Sequence, residues 1–194
     1  GNSLLKSGSA SDDLGGAARI APIVYWYAND PESAIQAARH QTALTHNNAA
    51  VLDSAEFFVR LTFRTLSGER PSSAISHLLE DRFQNTDIAE ALSLGMASQD
   101  KDTRTIIAEF GQECSTEAAL PGTIHVIAKY ENDITEALIE NVMAGGDSAA
   151  RGMLVGMVLG AYSGIEALPE DWLNTLNARE KIDTLLEGRD NNEE

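Results

Sequence analysis

The residues best suited to chemistry lie at Gly145-Gly146-Asp147-Ser148, directly before a long apolar stretch. Two adjacent glycines let the backbone enter the left-handed region that other residues avoid. Asp147 or Ser148 can then cap the helix that follows, because a short side-chain oxygen accepts from the first free amides of a helix. A helix start with free amides suits an anion. A carboxylate there suits a hard cation such as Mg²⁺ or Ca²⁺, provided further oxygen ligands come from elsewhere. Arg151, one turn on, either meets a phosphate or carboxylate through its guanidinium fork or pairs with a nearby acid.

The other chemically suggestive residues are scattered. Thr45-His46-Asn47-Asn48 precedes a helical stretch, and a His at such a place can meet a ligand or simply sit at the surface. Asp12-Asp13, in a glycine-bearing loop, reads as a solvated turn. His40, His77 and His125 have no partner at ligand spacing, and neither a paired-His zinc motif nor a Ser/His/Asp signature is present. Asp100, Asp102 and Glu109 read as a solvated face.

Helices must position these residues, since apolar positions recur at helical spacing almost without pause from Asp30 onward. The run Ala17–Ala28 reads as a buried helix with Pro22 in its first turn, a strand over Ile23–Tyr27 being the alternative. Pro31 starts a helix burying Ile35, Ala38 and Thr42. Asn47 or Asn48 caps a longer one carrying Val51, Leu52, Ala55, Phe58, Val59 and Thr62, which Gly68 ends. Pro71 opens the next, and Thr86–Glu90 starts another that runs to Leu94. A polar helix at about 101–110 follows, then a short apolar one opened by Pro121, then Ile134–Met143 capped by Asp133. Beyond the Gly-Gly turn, glycines at 152, 156, 160 and 164 share one face. Each costs ~0.8–1 kcal/mol against alanine, so the pattern predicts a groove where another backbone packs very close. Pro169 opens a further helix, and a last one spans about 178–187. The fold class expected is all-α: residues 1–188 as one multi-helix domain, and 189–194 as a disordered acidic tail.

A net charge of -16 excludes a nucleic-acid surface, which needs a basic face. The segment Gly152–Ile165, flanked by Arg151 and Glu166, is too short to cross a bilayer. Cys114 is the single cysteine, so no internal disulfide framework exists. That fits a reducing, cytoplasmic setting. Gly1 in place of an initiating Met reads as a scar of tag removal.

Three ordered blocks then carry a resemblance. Gly145-Gly146-Asp147-Ser148 with its glycine-spaced helix and Leu168-Pro169-Glu170-Asp171-Trp172 is the first. Gly15-Gly16-Ala17-Ala18-Arg19-Ile20-Ala21-Pro22 and Thr45-His46 are the others. Together they resemble the ADP-ribosylglycohydrolase family, in its J-crystallin-like subgroup. The resemblance implies an all-α orthogonal bundle and Mg²⁺-dependent hydrolysis of the N- or O-glycosidic bond joining ADP-ribose to a protein side chain or related acceptor. It implies Asp147 as a metal ligand and His46 beside bound ADP-ribose. Ser11, Gly15 and Gly16 fall in the loop that holds the phosphates and ribose. Arg151 is added as a substrate-binding residue on its own chemistry, a guanidinium able to replace a metal's positive charge against a phosphate or carboxylate.

The departures from the family pattern are specific. Family enzymes carry a second Asp and a hydroxyl where this chain has Ala149 and Ala150. Leu14 replaces a frequent Asn, and the family's Asp-Asp metal motif belongs to an N-terminal part that this sequence lacks. Two expectations follow: a divergent or truncated hydrolase that still takes ADP-ribose-like ligands or ADP-ribosylated proteins, or a non-catalytic structural or binding protein. An incomplete family domain also predicts exposed apolar surface and self-association.

Overall fold

The computed structural model describes residues 7–190, with side chains described as far as Glu187. Among the described residues there are eleven α-helices and no strand, as the periodicity predicts. They are α1 (Ala21–Trp26), α2 (Pro31–Ala43), α3 (Ala49–Leu66), α4 (Pro71–Leu78), α5 (Ala89–Ala97), α6 (Thr103–Phe110), α7 (Thr116–Lys129), α8 (Ile134–Met143), α9 (Ser148–Ser163), α10 (Glu170–Thr175) and α11 (Arg179–Asp190). The segment Ile23–Tyr27 is therefore helix up to Trp26 rather than strand. The backbone of Arg189 and Asp190 continues α11, so the expected tail is helical there, and residues 191–194 lie outside the described residues, as does Gly1.

Most boundaries follow from local chemistry. The Asn48 side chain accepts from Ala50 N and Val51 N at 2.9 and 3.4 Å, so Asn48 rather than Asn47 caps α3. Asp30, Asp133 and Asp147 cap α2, α8 and α9 in the same way. Gly68 follows α3 at φ 86. Pro71 supplies the first turn of α4, where its missing amide costs nothing.

The core lies among α3, α7 and α9. Every residue from Ser54 to Val59 of α3 is buried, as is every residue of α7 from Ala118 to Ala128. Here α7 corrects the expected boundary: Pro121 lies inside the helix, not at its start. Ser115 caps α7 through Ala118 N, so the helix is already under way when Pro121 removes one amide from its ladder. A Cβ added to Gly95 of α5 would stand 2.6 Å from the Pro121 carbonyl oxygen. A close approach of one helix to the backbone of another is thus at Gly95, where α5 meets α7.

The glycine face of α9 packs differently from expectation. Cβ atoms added at Gly156 and Gly160 would meet Leu138 and Ile134 side chains of α8 at an ordinary 4.0 Å. Only Gly152 is tight, with Asn141 Nδ2 2.8 Å from the same construction. Ile134, Leu138 and Asn141 form one stripe on α8, and that stripe, not another backbone, fills the glycine groove.

Two polar clusters cross this core. Glu56, 8% exposed, receives Arg39 Nη1, Arg60 Nε and Arg82 Nε at 3.0, 2.9 and 2.6 Å, tying α2, α3 and the turn after α4 together. Burial works to raise its carboxyl, but the bonds from Arg60 and Arg82 carry it below the ordinary value. His125 is fully buried, with Nδ1 2.8 Å from Ser98 Oγ and Nε2 3.0 Å from Thr103 Oγ1. Burial, with Lys129 assisting, holds it down at about 4. It is a core histidine that stays neutral at physiological pH.

Candidate functional site

Two loops far apart in sequence meet through a third. The loop 9–16 runs from the α2–α3 junction to the α6–α7 junction. At one end Ser9 N donates to Thr45 O at 3.0 Å and Asn47 N donates to Ser9 O at 2.7 Å. At the other, Leu14 N donates to Cys114 O at 2.8 Å, and both Thr116 N and Thr116 Oγ1 donate to Asp12 O. The Gly-Gly turn is gripped from the same segment: Asp147 N donates to Gln112 O at 3.1 Å, and Gln112 Nε2 to Ala144 O at 2.7 Å. Residues 112–116 therefore clip the loop and the start of α9 together.

The turn needs its glycines, since Gly145 and Gly146 take φ 71 and 64. It delivers Asp147 as the N-cap of α9, where Oδ1 accepts from Ala150 N at 3.3 Å. The carboxylate also complements the positive end of a helix dipole. Ala150 is buried beneath the loop, with its Cβ 4.0 Å from where a Gly15 Cβ would be, whereas Ala149 is exposed.

Most of the residues singled out by sequence thus converge. Gly15 lies over Ala150, and the His46 ring lies on Gly16, where an added Cβ would stand 2.6 Å from its Cγ. His46 Nδ1 is 2.8 Å from Thr45 Oγ1, which also accepts from Arg19 Nη2. Ser11 Oγ accepts from Asp13 N at 3.3 Å inside the loop. The loop amides are occupied: Gly15 N donates to Asp13 Oδ1 at 2.7 Å and Gly16 N to Asp13 O at 3.1 Å. A phosphate reaching Gly15 must first displace the Asp13 carboxylate.

Arg151 departs from both of its expected roles. It is 1% exposed, and its guanidinium donates to Asn141 Oδ1 at 2.7 Å, Asn141 O at 2.9 Å and Gly145 O at 2.7 Å. Among the described residues it forms no ion pair. Its stem lies against Gly122 of α7. The residue braces the end of α8 against the turn because those carbonyls, left without helical donors, need partners. Burial pulls its pKa below the usual arginine value, and the Asp147 carboxylate partly opposes that.

Sequence reasoning missed Asp13, Gln112 and Cys114. Asp13, read as part of a solvated turn, is half-buried and caps the short helical turn Leu14–Gly16. Its hydrogen bond is the main cause that raises the Cys114 thiol pKa, and Asp147 adds a smaller push in the same direction. No local signal marks these three residues, since their roles exist only once residues 112–116 reach both loops. A cavity of about 390 Å³ opens beside Asp12, lined also by Asn48, Asp87, Glu90, Thr116 and Glu117.

The donor set does not fit a metal centre of the expected kind. Asp147 is the cap of its own helix, Ala149 and Ala150 stand where the resemblance expects two further donors, and Asp13 is engaged by Gly15 and Cys114. Among the described residues no group of three or more His, Cys, Asp or Glu side chains is arranged to hold an ion.

Residues 2–193 match the ADP-ribosylglycohydrolase family. ADP-ribosylhydrolase ARH3 of Bos taurus is 24% identical over 212 residues, covering 93% of this chain and 58% of that protein. The Homo sapiens ADP-ribosylhydrolase ARH3 is 22% identical, with the same coverages. Crystallin J1B of Tripedalia cystophora is 25% identical over 185 residues, covering 92% of this chain and 55% of that protein. The chain thus spans a little over half the length of these relatives.

Proposed function

The chain belongs to the ADP-ribosylglycohydrolase family, and from that premise we propose that it holds an ADP-ribose-like ligand between the loop Ser11–Gly16, His46 and the start of α9. The substrate class in this reading is a protein or related acceptor carrying ADP-ribose through an N- or O-glycosidic bond. The observation that supports it is the clip formed by residues 112–116, which draws the loop and the Gly-Gly-Asp turn together. His46, stacked on Gly16, offers a ring edge to a ribose. Asp147 is the carboxylate nearest the start of α9, the position for holding a proton or orienting water. Arg151, enclosed by carbonyls, stands outside the ligand contacts and shapes the turn that makes them.

The family is generally metal-dependent, and Mg²⁺ is the ion expected from the resemblance. Bound, it would polarise the ribose and a water. Asp147 alone, with Ala149 and Ala150 beside it, does not supply the donors for that, so no step of the present reading runs through the ion.

A second reading, a non-catalytic binding or structural protein, is favoured by those two alanines and by the matched crystallin. Calorimetric titration of the full chain with ADP-ribose separates the cases. Heat that disappears in His46→Ala is expected, and its absence in the wild type removes the ligand assignment. Release of ADP-ribose from a modified protein, lost in Asp147→Ala, would count decisively against the non-catalytic reading. Self-association is a further proposal, supported by exposed Ile139, Val142 and Met143 on α8. A strictly monomeric sedimentation profile would remove it.

A further inference from the structure

From the mismatch between the expected metal chemistry and the residues at the start of α9, we infer that this site works without a divalent cation, the buried guanidinium of Arg151 standing as its fixed positive charge. The inference rests on the proposed ADP-ribose site for its ligand, but its claim about metal stands on this chain's own residues.

One carboxylate, Asp147, remains to face an ion there, and the other donors the resemblance expects are engaged elsewhere or missing. Asp147 Oδ1 accepts from Ala150 N, closing the first turn of α9. Asp13 is taken up by Gly15 N and by the Cys114 thiol. Ala149 offers no donor. Ala150 omits another, and its methyl is buried beneath the Gly15 loop.

Arg151 supplies the charge instead. Its three hydrogen bonds all end on neutral oxygens, two of Asn141 and one of Gly145. No carboxylate bonds it, so its charge is not cancelled locally, and little solvent reaches it to screen the field. The Asp147 carboxylate at the N-cap of α9 acts on it, opposing the effect of burial on its pKa. A dication placed at Asp147 is repelled by that charge. A phosphate placed there meets the α9 amides and the same charge with favourable sign. The role is one of positioning and electrostatics, since Arg151 touches the Gly145 carbonyl and not the open face of the site.

Two measurements on the full chain decide the matter. In the first, Mn²⁺ is the probe and its binding is followed by electron paramagnetic resonance in wild type and Asp147→Asn. Asparagine preserves the helix cap, so the variant folds. Identical weak uptake by both proteins is expected, from an acidic surface alone. A site present in the wild type and lost in Asp147→Asn overturns the inference, whatever the ligand does. In the second, ADP-ribose is titrated in EDTA and in millimolar Mg²⁺. Equal affinities are expected, and a tightening of about tenfold or more by Mg²⁺ overturns the inference. If ADP-ribose binds in neither buffer, the proposed function fails, while the Mn²⁺ result still decides the metal question. Arg151→Lys keeps the charge and Arg151→Gln removes it. The second should weaken ADP-ribose binding at least several-fold more than the first, and equal affinities would take Arg151 out of the account.

Discussion

Glu56 and Arg151 are both charged side chains withdrawn from water, yet the chain treats them in opposite ways. Glu56 is met by three guanidiniums, each of which also reaches solvent. Its charge is cancelled on the spot, and the cluster serves only to tie α2, α3 and the turn after α4 together. Arg151 is met by carbonyl and amide oxygens and by no carboxylate. Its charge survives inside the protein, behind the turn that carries Asp147. A neutralised cluster belongs to the scaffold. A preserved charge costs desolvation without full repayment, and the place where that cost is tolerated is the candidate site.

The largest effect that can break this contrast comes from Arg151→Met. Asn141 Oδ1 and O, both buried, and the half-buried Gly145 O lose their donors, so unfolding in urea should show a loss of about 3–5 kcal/mol. A loss below 1 kcal/mol would mean that the turn closes without its brace. Glu56→Gln should cost less, about 1–2 kcal/mol, because Arg39, Arg60 and Arg82 can turn toward water. The pH dependence of that difference sharpens the comparison. The Glu56 carboxyl sits below its ordinary 4.5 in the folded state, so its stabilisation is fully present above that value and fades as pH falls through the lower folded one. The wild-type advantage over Glu56→Gln should therefore shrink below about pH 4.5. The smallest effects lie on α9. Gly156→Ala has room for its methyl and should stabilise the protein by about 0.5–1 kcal/mol. Gly152→Ala pushes on Asn141, which holds Arg151, and should destabilise it by a comparable amount. Equal signs for the two, read from thermal unfolding, would detach the glycine face from the arginine brace.

How far the sequence reaches differs between fold and site. The helices with a Pro, Asp or Asn at their start were legible, because capping acts within four residues: Pro31, Asn48, Pro71 and Asp133 all sit at boundaries. Pro121 misled for the same reason. Proline at a helix start and proline inside a buried helix look alike until the packing of α5 on α7 is known. Within the site, Gly15, Gly16, His46 and Asp147 were legible as ordered blocks. Asp13, Gln112 and Cys114 were not, since nothing in their neighbourhoods distinguishes them from surface polar residues.

By itself, then, the order of residues determined the all-α class, the Gly-Gly turn and a helix start capped by Asp147 or Ser148, because each depends on backbone preferences and hydrogen bonds spanning a few residues. It also placed Ala149 and Ala150 where the resemblance expects two oxygen donors. Only the tertiary structure decided where Arg151 spends its guanidinium and that residues 112–116 hold two distant loops together. It also decided that α8 side chains rather than a backbone fill the glycine groove. Those outcomes depend on which surfaces meet and on which buried carbonyls are left without donors.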